Sequence, residues 1–160
     1  MFTEADRKIA RVARRQDQVF ALAQARAAGL TDDQIAHRLR RHAWTGLATG
    51  VYAHAHTDLS TKGRLRAATL ELPGAVASHE SAGELREFPL VPSGLVVVSR
   101  AQDDPNRSAL ATVRRVCDFD PADHTVIDGI PVTTAVRTAA DLAGVLGAGR
   151  YRQMIDQLLT

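Results

Sequence analysis

Apolar and polar positions in the first part of the chain repeat with the period of an α-helix. Apolar residues recur three and four positions apart, and this spacing predicts helices over residues 3–15, 20–28 and 31–42. Gly29 is placed to end the second helix, because glycine readily adopts the left-handed conformation found after helix C-termini. Ile35 and Leu39 mark the buried side of the third helix, so its polar residues are predicted to face outwards.

The pattern changes period after the third helix. Trp44 and Val51 are residue types that favour strands, and Thr49-Gly50 lies between them as a turn. Residues 43–55 are therefore predicted to form a short hairpin. Two helices joined by a tight glycine-containing turn, followed by a hairpin in the place of a wing, predict a winged helix-turn-helix domain over residues 1–57.

The rest of the chain contains segments with the spacing of helices and segments with the apolar runs of strands. Helical spacing predicts helices over residues 58–72, 78–86, 134–146 and 148–159. Apolar runs predict strands over residues 95–100 and 109–117, joined by a turn at residues 103–106, and a hairpin over residues 125–133 that turns at Asp128-Gly129. The chain is thus predicted to be an α+β protein, with the N-terminal winged helix-turn-helix followed by a small mixed α/β domain over residues 58–160.

The third helix carries the candidate chemistry for DNA binding. Thr31 and Gln34 have the spacing of a capping box, in which hydroxyl and amide satisfy free backbone groups at the helix start. Glutamine can bond an adenine edge, and an arginine can fork onto a guanine. A solvated basic face is the plain alternative, but the helix-turn-helix-hairpin order favours nucleic acid. The predicted DNA-binding residues are Thr31, Gln34, His37, Arg38 and Arg41, together with Arg15 on the first helix.

Charge is distributed unevenly and supports this assignment. The chain has a formal net charge of +2, but residues 1–50 contain nine Lys and Arg against five Asp and Glu. Residues 101–160 contain six basic against eight acidic residues. A polyanionic partner is therefore expected to bind the N-terminal part of the chain. The single cysteine excludes an intrachain disulfide, and no signal peptide or apolar run long enough for a membrane span is present, so we expect a cytoplasmic protein.

Other candidate sites favour structural roles. His54-x-His56 with Asp58 supplies only half of a metal site, and Asp118, Asp120 and Asp123 lack the glycine of a calcium loop. No metal or cofactor is therefore predicted. Ser78-His79-Glu80 contains catalytic residue types, but Ser78 is placed to cap the helix that follows it. Arg137 and Asp141 have the spacing of an ion pair along one helix face.

A nuclease centre is also not predicted. Metal-dependent nucleases of the PD-(D/E)xK type need acidic ligands followed closely by a lysine. The chain has two lysines, and Asp6-x-Lys8 fits the letters of that motif but lies in an N-terminal helix with no strand beside it. We therefore predict that the chain is not an enzyme.

Several segments resemble AbiEi-family antitoxins of type IV toxin–antitoxin systems. Pro73-Gly74-Ala75-Val76 with Ser78-His79-Glu80-Ser81-Ala82 is similar to the family's GAVxSHxSAA stretch. Asp128-Gly129-Ile130-Pro131-Val132-Thr133-Thr134, with Arg137-Thr138 and Asp141-Leu142-Ala143, is similar to its DGIPVTTxxRTxxDLA stretch. Further similar segments in the winged helix are Arg15-Gln16, Ala28-Gly29-Leu30-Thr31, Arg38 to Arg41, Trp44 and Gly50-Val51-Tyr52.

The resemblance implies a regulator that binds the operator of its own operon, with a second domain that helps to repress or neutralise a nucleotidyltransferase-type toxin. One departure is that residues 44–49, the first strand of the wing, contain no Arg or Lys. Two alternatives stay open. The chain could be the DNA-targeting part of a very-short-patch-repair-like endonuclease without its nuclease domain, or a protein-interaction module. Because one wing reads few base pairs, we expect a homodimer or tandem sites.

Overall fold

The computed structural model describes residues 3–101, 107–117 and 120–160, which form an α+β structure. The N-terminal elements, in chain order, are α1 (Glu4–Arg15), β1 (Val19–Ala21), α2 (Leu22–Ala27), α3 (Asp32–Arg40), β2 (Trp44–Ala48) and β3 (Val51–His54). The three strands form an antiparallel sheet in the order β1-β3-β2. This order of elements and strands is that of a winged helix-turn-helix, so the predicted fold class is confirmed.

The second predicted helix begins later than expected. Phe20 lies in β1 and is opposite Tyr52 of β3, whereas α2 starts at Leu22. Phe20 is fully buried, and its ring meets that of Trp44 edge to face with centroids 4.7 Å apart. The apolar spacing around Phe20 fits both a helix and a strand. The pairing of this segment with β3 makes it a strand.

The remaining elements form a second sheet with helices around it. In chain order they are α4 (Thr61–Glu71), β4 (Val76–Ala77), α5 (His79–Leu85), β5 (Val97–Ala101), β6 (Thr112–Val116), β7 (His124–Ile127), β8 (Ile130–Thr133), α6 (Ala135–Ala143) and α7 (Ala148–Leu158), with a 3₁₀ turn at Pro121–Asp123 before β7. The sheet order is β6-β5-β4-β8-β7. Its core contains Leu65, Val98, Ile130 and Val132.

Strand pairing confirms one hairpin and corrects another. Ile127 pairs with Ile130 across Asp128-Gly129, and both turn residues have positive φ, as a two-residue hairpin turn requires. β6, in contrast, pairs parallel to β5, whereas two strands joined by a turn, as predicted for residues 95–100 and 109–117, would pair antiparallel. The turn predicted at residues 103–106 lies outside the described residues. The short strand β4, which the sequence pattern did not predict, pairs with both β5 and β8.

Helix α4 packs against the N-terminal sheet as well as the C-terminal one. Arg66 donates from Nε to Asp17 at 2.7 Å and from Nη2 to the carbonyl of Asp128 at 2.5 Å. A Cβ on Gly63 would come within 2.8 Å of the Asp17 carbonyl, so only glycine permits this approach. Residues 1–57 and 58–160 are therefore in direct contact, and the boundary between two domains stays a prediction. No helix in the described ranges is long and apolar enough to cross a bilayer.

Candidate nucleic-acid interface

Helix α3 begins where its sequence predicts. The Thr31 hydroxyl accepts from the Gln34 backbone N–H at 3.3 Å, and the Gln34 side-chain oxygen accepts from the Thr31 N–H at 3.1 Å. The predicted capping box is thus confirmed. Both side chains are exposed, but each already holds the helix start in place. The helix ends at Arg40, with Arg41 as its C-cap, rather than at residue 42.

The start of α3 is acidic. Asp32 and Asp33 occupy its first turn, where they interact favourably with the helix dipole. Asp32 also accepts from Arg26 of α2 at 2.8 Å, in an exposed ion pair. Two carboxylates at this end disfavour a bound phosphate, so we expect DNA contact to concentrate on the second half of the helix.

The second half of α3 presents an outward cationic face. Ile35 is buried, and residues two, five and six positions further along lie on the opposite side of a helix with 3.6 residues per turn. His37, Arg40 and Arg41 occupy those positions, and all three are exposed. Within the part of the chain that the structure describes, none of their side chains has a hydrogen-bond or ion-pair partner. Arg40 was missing from the residues predicted from sequence, although the same helical spacing places it on this face.

Arg38 does not belong to that face, contrary to the prediction. Its guanidinium is bound twice by the Asp6 carboxylate, with distances of 2.7 Å from Nε and 3.0 Å from Nη2. Its Nη1 donates to the Gln34 carbonyl at 2.9 Å. The side chains of Arg38 and Asp6 are only 15% and 10% exposed. A guanidinium so engaged has to break a buried ion pair before it can reach a base.

The Asp6–Arg38 pair joins α1, α3 and the wing. Asp6 also accepts from the Thr3 N–H at 2.8 Å, which completes the capping box of α1. The guanidinium carbon of Arg38 lies 5.7 Å from the centre of the Trp44 ring on β2, within the range of a cation–π contact. The hydrogen bonds and charge of Arg38 hold the pKa of Asp6 well below its usual range. The pair therefore fixes the tilt of α3 relative to α1 and the wing.

A groove of about 440 Å³ lies next to this pair. His37 and Arg41 line it together with Asp6, Arg38, Ala43, Trp44 and His54. Burial lowers the pKa of His54, so its ring is neutral at neutral pH. Among the described residues, His54 included, no group of three or more His, Cys, Asp or Glu is placed to hold a metal ion.

The candidate ion pair and the acidic cluster of the C-terminal half are part of the fold. Arg137 of α6 donates from Nε to Asp141 at 2.9 Å, which confirms the pair predicted from their spacing. Its Nη1 is also 2.9 Å from Asp123. Asp120 caps the 3₁₀ turn that contains Asp123, while Asp118 of the predicted acidic cluster lies outside the described residues.

Ser78 and His79 bond to each other in place of the predicted cap. The prediction that Ser78 caps α5 is wrong, because its side chain makes no cap hydrogen bond. Its hydroxyl instead lies 2.7 Å from the Ser99 hydroxyl and 3.0 Å from His79 Nδ1. The φ of His79 is +49°, a conformation that costs a non-glycine residue free energy and persists only where the surrounding structure enforces it.

Arg15 is exposed but is separated from the other candidates. It lies at the C-terminal end of α1, about 14 Å along the helix from Asp6 at 1.5 Å per residue. Arg7 follows Asp6 directly, is also exposed, and lies at the end of α1 that contacts α3. Along α1, Arg7 therefore lies nearer to α3 than Arg15 does.

The class of protein defined by this geometry is an α+β protein with an N-terminal winged helix-turn-helix. No protein-family model matches the chain, and no curated protein matches it either. The similarity to AbiEi-family antitoxins therefore remains a prediction from the quoted motifs.

Proposed function

We propose that the N-terminal winged helix binds duplex DNA, with α3 in the major groove. The observation that supports this most strongly is that one side of α3 is attached to the rest of the domain while the other side carries unpartnered basic side chains. Ile35 and Arg38 attach the helix to α1 and the wing, whereas His37, Arg40 and Arg41 extend outwards without partners among the described residues. Arginine forks fit guanine edges and phosphates, and histidine can donate to either.

The proposed biological role is that of a transcriptional regulator that represses its own operon, in the manner of an antitoxin. This role rests on the two segments that resemble the antitoxin family, and these segments lie next to each other in the second sheet. Ala77 of β4 pairs with Val132 of β8, and Arg86 at the end of α5 donates to the Thr133 carbonyl at 2.6 Å. A nucleotidyltransferase-type toxin is the proposed partner, and the double-stranded operator is the proposed ligand of the winged helix.

DNA binding can be measured by fluorescence anisotropy on the whole chain. The probe is a duplex from the region directly upstream of the coding sequence, with a shuffled duplex of equal composition as control. We expect tighter binding to the upstream duplex, and affinity that falls steeply between 50 and 200 mM salt because counterions are released from phosphates. Absence of binding to either duplex at low salt would contradict the proposal, and equal affinity for both would contradict a sequence-specific operator.

A further inference from the structure

The β2–β3 hairpin stands in the position of a wing but does not project from its sheet. β1 pairs with β3 as far as Ala21 opposite Val51, and Val51 is the first residue of β3 after the hairpin turn. The Gly50 carbonyl in that turn accepts from the Leu22 N–H, at the start of α2, at 2.7 Å. To touch base edges in the minor groove, a hairpin has to insert to a depth of about 7.5 Å, roughly two residues of strand. This turn is level with the end of β1 and bonded to α2, so no such length is free.

Both faces of the hairpin are covered by other parts of the chain. Successive residues of a strand point to opposite faces of the sheet. On one face, the Tyr52 ring lies 6.1 Å, centre to centre, from the rings of Phe20 and Trp44. On the other face, Val51 is fully buried in a cluster with Ala67 of α4, which contacts both strands of the hairpin. The hairpin therefore serves as the platform on which α4 packs.

The hairpin also lacks the side chains that bind the minor groove. Proteins that read this groove use Arg, Lys, Asn and Gln, and residues 44–54 contain none of these four types. The exposed residues of the hairpin are Thr45, Gly46 and Thr49. The cations that can bind phosphates or base edges are instead on the outward face of α3.

We infer that this domain reads duplex DNA through the major groove alone, with the hairpin clear of the minor groove. The inference rests on the proposed function and specifies which edges of the base pairs the chain recognises. The arginines of α3 meet guanine N7 and O6, which are the acceptors of that base in the major groove. Adenine N3, an acceptor in the minor groove, has no protein partner in the complex.

Base analogues that lack a single acceptor test the inference from the side of the DNA. In the upstream duplex, 7-deazaguanine removes the major-groove acceptor N7, and 3-deazaadenine removes the minor-groove acceptor N3, at one position at a time. We expect at least one 7-deazaguanine to lower the affinity of the whole chain about five-fold or more, the effect of one lost hydrogen bond. Every 3-deazaadenine should leave the affinity within about two-fold of the unmodified duplex.

The possible failures can be told apart. A larger loss at any 3-deazaadenine, in a duplex that the chain binds, would leave DNA binding intact and overturn the restriction to the major groove. A bound duplex in which no 7-deazaguanine lowers the affinity would overturn it as well. Absence of binding to the unmodified duplex would contradict the proposed function, and this inference with it.

Two matched substitutions test the inference from the side of the protein. Thr49→Glu adds a negative charge at the hairpin turn, and His37→Glu adds one on the outward face of α3. Both side chains are exposed, so both variants should melt near the native temperature. We expect Thr49→Glu to bind the upstream duplex within about two-fold of the native chain, because charges farther away than about 8 Å are largely screened at physiological salt. His37→Glu should bind at least about ten-fold more weakly, since phosphates repel a carboxylate in the groove. A comparable loss in Thr49→Glu would place the turn against the DNA and overturn the inference.

Discussion

Replacing Arg38 by alanine is expected to lower the free energy of unfolding by about 3 kcal/mol, the cost of removing one partner from a buried ion pair. The Asp6 carboxylate would keep only its bonds to Thr3 and would stay largely buried without a counter-charge. For a chain of this length the melting temperature should fall by about 6–12 °C. Thermal and urea unfolding of Arg38→Ala against the native chain measure the effect.

A neighbouring substitution provides the control for that result. Arg40→Ala removes an exposed arginine from the same helix and should change stability by no more than about 0.5 kcal/mol. If Arg38→Ala instead melts at the native temperature and loses DNA affinity, Arg38 is a DNA contact and its assignment to the fold is wrong.

The dependence of folding stability on acidic pH distinguishes an ion pair between Asp6 and Arg38 from a contact that only packs. Since the pKa of Asp6 is lowered in the folded chain, the pair stabilises the fold fully above the ordinary pKa of 3.8 and progressively less as the pH falls below it. Asp6→Asn has no carboxyl to titrate at that position. The stability difference between the native chain and Asp6→Asn should therefore shrink as the pH falls from 5 towards 2. A difference that stays constant over this range would contradict the assignment.

The double substitution Arg40→Ala with Arg41→Ala is expected to lower affinity for the upstream duplex about 100-fold, since each arginine contact to DNA contributes about 1–3 kcal/mol. Neither side chain has a partner among the described residues, so the melting temperature should remain near the native value. If both contacts reach phosphates, the dependence of affinity on salt should also weaken by about two counterions.

A charge-matched pair of substitutions separates local contact from overall charge. Arg150→Ala with Arg152→Ala removes two exposed arginines from α7 and lowers the net charge by the same amount. This variant should bind DNA within about two-fold of the native chain, because distant exposed charges are screened at physiological salt. Equal losses in the two double variants would show that only net charge matters and would contradict a defined interface on α3.

The sequence was sufficient for those parts of the fold that depend on local signals. The capping box at Thr31 and the turn at Asp128-Gly129 are formed by neighbouring residues, and both are present as predicted. The partner of Arg38, in contrast, is 32 residues away in the chain. Helical spacing places Arg38 at the edge of the buried side, and only the packing of α1 decides that it turns inwards.

The short strand β4 and the Ser78–His79 contact could not be predicted from the sequence either, because both depend on how neighbouring elements are arranged. β4 has two residues and gains its order from strands on both sides, so no periodicity could reveal it. A hydrogen bond between adjacent side chains was not expected at Ser78 and His79. The positive φ of His79, set by the junction of β4 and α5, brings the hydroxyl and ring nitrogen together.

Photo-crosslinking from position 37 tests most directly whether the outward face of α3 enters DNA. The chain has one cysteine, so His37→Cys in a Cys117→Ser background creates a single thiol for a crosslinking reagent on that face. Arg150→Cys in the same background places the reagent on α7 as control. We predict crosslinks from position 37 to bases within the bound duplex and none from position 150. A chain that binds the duplex but crosslinks only from position 150, or from neither, would contradict DNA binding through α3.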